Sequence, residues 1–184
     1  MEARRCCLLP LLSSQPPLNR HCITRNSLFL NQKLSANCAL PMSPTHHYFS
    51  NAVGSVDYVP ADGYLYLHWS GVPMTGPEFR ALYIHAHNLL RRYPLRGILA
   101  DHRAMPAAPA PADSDWLLNT WLPAVLADTH FTRYAVVPTL EPAHRLHTPA
   151  VAEHLQRAIT AAFFEDIPPA VDWLLAEPTG PVST

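Results

Sequence analysis

The chain has 184 residues, 48% hydrophobic and 15% charged, enough for one domain of about 100–150 residues plus an appendage. Its formal net charge of -1 argues against a general nucleic-acid binder, and no apolar run approaches the roughly 20 residues that span a bilayer. Only 6 glycines stand beside 20 prolines, which leaves little material for phosphate-cradling loops.

Charge divides the chain. Residues 1–41 carry Arg4, Arg5, Arg20, Arg25 and Lys33 against Glu2 alone, whereas residues 42–184 hold 8 basic and 13 acidic groups. All four cysteines, Cys6, Cys7, Cys22 and Cys38, lie in the first part, so residues 42–184 hold no disulfide framework and no cysteine zinc site. Three readings of residues 1–41 compete. A secretory signal lacks its cleavage site, and Cys6 to Leu12 is short and broken by Pro10. A mitochondrial-type helix is interrupted at Pro10, Pro16 and Pro17. The third reading is a disordered tail, or sequence upstream of a true start at Met42, and the lack of a hydrophobic period favours it. Residues 177–184, small and polar, form a second flexible tail.

Val53–Val59 and Tyr64–Trp69 read as a hairpin around Pro60-Ala61-Asp62-Gly63, with Pro and Gly where a tight turn takes them. Leu65, Leu67 and Trp69 point one way; Tyr64, Tyr66 and His68 point the other. A helix opens at Thr75 or Gly76 and ends before Pro94, with Phe79, Leu82, Tyr83, Ala86, Leu90 and Tyr93 as its stripe. Gly97–Ala100, closed by Asp101, is a short buried parallel strand. An extended Ala/Pro loop over 104–112 follows. Asp113-Ser114-Asp115 then caps a helix holding Trp116, Trp121, Leu122 and Val125, which Pro123 kinks or divides. Arg133–Val137 is another buried strand. Thr148-Pro149 opens a helix with Val151, Leu155, Ala158, Ile159 and Ala162. Phe163–Asp166 is a brief strand candidate, and Pro168-Pro169 starts a last helix with Val171, Trp173, Leu174 and Leu175. This alternation predicts an α/β domain: a small, mainly parallel sheet with an N-terminal antiparallel hairpin and surrounding helices.

The order of these segments resembles the STAS/SpoIIAA-like superfamily, above all bacterial STAS-like proteins of unassigned role. The likeness rests on Leu99-Ala100-Asp101, on Trp116 with Trp121-Leu122-Pro123, and on Arg133-Tyr134-Ala135-Val136-Val137. Phe163-Phe164-Glu165-Asp166 followed by Ala170-Val171-Asp172-Trp173-Leu174 completes it, so the likeness spans residues 50–176. It implies a SpoIIAA-like fold and a small regulatory or ligand-binding module without a cofactor. The phosphorylatable members of that superfamily have Asp-Ser-Ser-Gly directly after the strand. Here Ser114 follows a long insertion, no Gly follows it, and Asp113 and Asp115 would repel a phosphate.

Little else carries chemistry. The eleven histidines show no zinc spacing: His85 and His87 are two apart on a helix and diverge, and His144 and His147 share a face only if their Pro-bounded loop is helical. Gly71 to Gly76 lacks the lysine of a phosphate loop, and there is no Gly-x-Ser-x-Gly elbow. One constellation survives. Asp101, His102 and Arg103 leave the carboxyl end of a parallel strand, where open α/β sheets bind ligands. They form either a polar ligand site or a local cap in which Asp101 pairs with Arg103 or Arg133, since three sequential residues normally diverge. Ile84 and Trp116 project off their stripes and are the candidate partner surface.

The resulting expectation is a cytoplasmic, non-enzymatic STAS-like regulatory module that binds a protein partner or itself. The alternative is a small-molecule or lipid carrier with a pocket between sheet and helices. A third reading is an enzyme using Asp101 and His102. No cofactor, metal, nucleic acid or membrane span is expected.

Overall fold

The computed structural model describes residues 43–147 and 149–176. The expected tails over 1–41 and 177–184 and the Thr148 cap lie outside the described residues. Six strands form one sheet in chain order: β1 (His46–Asn51), β2 (Gly54–Val59), β3 (Tyr64–Trp69), β4 (Gly97–Asp101), β5 (Arg133–Val137) and β6 (Thr160–Phe163). The first three run antiparallel; β3 to β6 are parallel. The helices are α1 (Gly76–Arg92), α2 (Pro111–Trp116), α3 (Leu122–Asp128), α4 (Pro149–Ala158) and α5 (Ile167–Leu175). This is the expected α/β architecture.

Alternation along the strands sorts side chains onto two faces. On the front face Val56, Leu65, Leu67, Trp69, Ile98, Ala100, Tyr134 and Val136 meet the stripes of α1, α3 and α4. On the rear face α5 lies over β4 and β5, packing against Leu99, Ala135 and Val137. Gly97 permits that approach, since a Cβ there would sit 2.9 Å from Leu174 Cδ2. Helix α1 starts as its sequence predicts: the Thr75 amide and hydroxyl both donate to Glu78 Oε2, at 3.0 and 2.7 Å. The turn after β2 closes when Gly63, at φ 71°, donates its amide to Val59 O at 2.9 Å.

Four features depart from expectation. First, a strand not expected from the sequence begins at His46, ahead of the hairpin, so the sheet starts with a three-stranded meander. A side chain makes the first turn: Asn51 Oδ1 accepts the amides of Val53 and Gly54 at 3.0 and 3.1 Å. Second, Asp113 does not cap a helix. Ala110 holds the cap position, and buried Asp113 lies in the first turn, taking Arg80 Nε at 2.7 Å. Third, the helix is divided before Pro123 rather than at it. A π turn over Leu117–Trp121 precedes it, with Leu122 N–H reaching Leu117 O, which provides for a residue that lacks an N–H and crowds the preceding turn. Fourth, the closing strand is Thr160–Phe163, three residues early, so α4 ends at Ala158 and Ala162 leaves its stripe.

Candidate functional site

Strand geometry separates the three residues at the end of β4. Asp101 turns to the rear face. Its carboxylate accepts from the Tyr66 hydroxyl at 2.9 Å, from Arg103 Nε at 2.9 Å and a terminal Arg103 nitrogen at 2.8 Å, and from the Arg103 amide at 3.1 Å. Burial pushes the Asp101 carboxyl up, but the bonds from Arg103 and Tyr66 together hold it below the usual range. Every oxygen of Asp101 is thus committed to local structure. Asp101→Asn should cost about 1.5–3 kcal/mol, the worth of hydrogen bonds to a charged group, measured by urea unfolding. An unchanged unfolding midpoint would contradict the structural role. Beside it on the rear face, Ser55 bonds His68 and donates to Asp57 at 2.8 Å, while His47 Nδ1 lies 2.7 Å from Asp57.

His102 turns the other way and is 1% exposed. Its amide donates to Val137 O at 2.8 Å and its carbonyl accepts from Met105, which anchors the backbone at the carboxyl ends of β4 and β5. Its imidazole lies parallel to that of His147, with centroids 5.4 Å apart and planes 2° apart. Trp69 stands edge-on to His102, and Tyr134 and Phe163 stand edge-on to His147. The contacts continue from Trp69 through Phe79, Tyr83, Trp121, Phe131 and Tyr134 back to His147, so eight rings close a circuit.

This circuit is poor in hydrogen bonds. Trp69 Nε1, the Tyr83 and Tyr134 hydroxyls, His102 Nε2 and both His147 ring nitrogens are buried without a partner among the described residues. Such groups normally find one, because burying a polar atom unpaired costs about 1–3 kcal/mol. Burial pushes His102 down to about 4, with Asp101 opposing, and pushes His147 well below its usual value, with His102 adding to the effect. Both imidazoles are neutral near pH 7, so each offers one N–H and one acceptor nitrogen. Burial also raises the Tyr83 and Tyr134 hydroxyls, which sense each other without forming a well-aligned hydrogen bond.

Two spaces touch the pair. An internal gap of about 10 Å³ beside Tyr134 and His147 is at the limit for one water. A cleft of about 230 Å³ is lined by His102, Thr139, Arg145, Leu146, His147 and Phe163, with Pro138 at its edge. It lies at the carboxyl ends of parallel strands, where ligands bind in this class of sheet.

Elsewhere, Ile84 is 47% exposed, and Trp116 is half-buried under the Arg80 guanidinium, 5.2 Å from its ring. Arg80 precedes Ile84 by one turn, so both candidates lie on one flank. Ser114 lies inside α2, its amide donating to Ala110 O. Among the described residues no group of three His, Cys, Asp or Glu side chains is placed to hold a metal, and no helix is long and apolar enough to cross a membrane. Sequence reading singled out His102, weighed His147 only as a zinc partner of His144, and missed Arg145. His147 and Arg145 come from an irregular segment, and only folding brings them to His102. Comparison with family models, with curated proteins and with solved structures found no match.

Proposed function

We propose that this chain is a non-enzymatic, STAS-like regulatory module of the cytoplasm that binds a small molecule in the cleft beside His102 and His147. The observation that carries this reading is that His102 Nε2 and both His147 ring nitrogens, buried and unpartnered among the described residues, belong to two residues that line one cleft at the carboxyl ends of β4 and β5. A ligand there would complete hydrogen bonds that folding leaves unmade. Binding is favoured over catalysis because no carboxylate lines the cleft to orient either imidazole as a base. A second reading, contact with a protein partner or a second copy, draws on the flank where Ile84 and the Arg80–Trp116 stack lie.

Native mass measurement of the purified full chain reads both. A small adduct supports the cleft; a doubled mass or a retained protein supports the flank. His147→Leu should abolish the adduct. In ligand-free protein it should also raise stability by about 1–3 kcal/mol, because it removes two unpaired buried nitrogens. A less stable variant that keeps the adduct would overturn the cleft reading.

A further inference from the structure

The cleft carries charge of one sign. No Asp or Glu is among its lining residues, and Arg145 is its one formally charged side chain. Arg145 Nε donates to Thr139 O at 3.2 Å, which tethers the guanidinium. Its two terminal nitrogens have no partner among the described residues, so the fork that suits a carboxylate is free. Two carboxylates flanking the lining segments are engaged elsewhere. Glu141 Oε1 accepts the Ala143 amide at 3.3 Å, and Asp101 faces the rear, held by Arg103 and Tyr66. In the same lining, the imidazoles of His102 and His147 are at least nine-tenths buried and have unpartnered nitrogens. The rest of the wall, Leu146, Phe163 and Pro138, is apolar.

We propose, resting on the cleft reading above, that the ligand is a small organic monocarboxylate. Arg145 takes the carboxylate, the His102–His147 pair takes the remaining hydrogen bonds, and the apolar wall covers the carbon body. A phosphate suits the site less well, since one guanidinium faces it and both imidazoles are neutral. Size narrows the class further. At about 230 Å³ the cleft falls below the usual range of roughly 300–1,000 Å³ for ligand pockets, yet exceeds several waters of about 30 Å³ each. That suits a short-chain or single-ring acid and excludes a nucleotide.

The test titrates the full-length chain, freed of adduct, with butyrate and benzoate, with butyramide and benzamide, and with inorganic phosphate. Melting temperature and the imidazole NMR signals of His102 and His147 are followed. The acids should raise the melting temperature saturably and shift both imidazoles. The amides and phosphate should bind at least about tenfold more weakly, the factor that 1.4 kcal/mol represents. Arg145→Gln should weaken acid binding about ten- to a hundredfold, and Arg145→Lys should recover only part of it, because lysine lacks the fork.

Amides binding as well as acids, or Arg145→Gln binding acids like wild type, would overturn the carboxylate assignment and leave the cleft reading intact. Phosphate outcompeting both acids would overturn it equally. If no probe binds but the adduct of the purified chain still depends on His147, the ligand is not a monocarboxylate and the cleft reading survives. Loss of both kinds of binding evidence would remove the two together.

Discussion

Replacing Trp121 by alanine should cost about 3–5 kcal/mol of unfolding free energy, the range for deleting a large aromatic from a core. The indole is 6% exposed and sits in the π turn that precedes Pro123. Its N–H donates to Tyr83 O at 2.7 Å, joining the turn to α1. Its ring meets Tyr83 edge-on at 5.1 Å and lies 6.4 Å from Phe131. Alanine therefore removes a hydrogen bond and opens a cavity in the ring circuit. Trp121→Phe separates the two effects, since it keeps most of the packing and loses about 1 kcal/mol with the N–H. Urea unfolding of both variants reads the difference. A loss near 1 kcal/mol for alanine would mean that the turn is not part of the core.

Trp173 shows how a similar residue differs by position. The sequence places it in a closing helix and predicts a buried ring near Phe163 or Phe164. It is half-buried on the rear face, 5.7 Å from Phe164, with the Arg133 guanidinium 4.5 Å above it. Helix α5 covers only part of the sheet, so its aromatic ring is capped by a cation rather than enclosed.

The central parallel strands β4 and β5 and helix α1 were legible because burial on both faces leaves continuous apolar runs, and a packed helix leaves a stripe. β1 was not legible. Its residues mix exposed and half-buried positions without a regular period, a bulge interrupts its register between His47 and Phe49, and Asn51 rather than a Gly-containing pair makes its turn. β6 was misplaced because Thr160-Ala161-Ala162 continues the small-residue pattern of α4, and pairing with β5, not local preference, sets its start. At the candidate site, the end of β4 was visible as a place. Its chemistry was not, since period-2 alternation sends Asp101 and His102 to opposite faces, and His102 acquires its partner from a distant loop. Nothing in local spacing announces a contact of that kind.

The same imidazole pair makes this fold weaken in acid. An ordinary histidine titrates near 6.5, whereas burial holds His102 at about 4 in the folded chain. The unfolded chain therefore takes up the proton first as pH falls, and proton uptake favours the state that binds it. Stability from this group is complete above about pH 6.5, declines as pH drops toward 4, and changes no further below that. At 1.36 kcal/mol per tenfold difference in proton affinity, His102 alone accounts for about 3 kcal/mol, and His147, depressed for the same reason, adds to the loss. Asp101 acts in a different window: its folded value is lowered from 3.8, so its contribution persists above that and disappears only in stronger acid. Unfolding free energy measured by urea from neutral pH down to about pH 4.5 should fall steadily. His147→Leu should flatten the slope by its own share and by removing the repulsion that would build between two charged rings. A wild-type slope equal to that of His147→Leu would mean that the second imidazole reaches solvent, and the pair would no longer count as a buried, unsatisfied site.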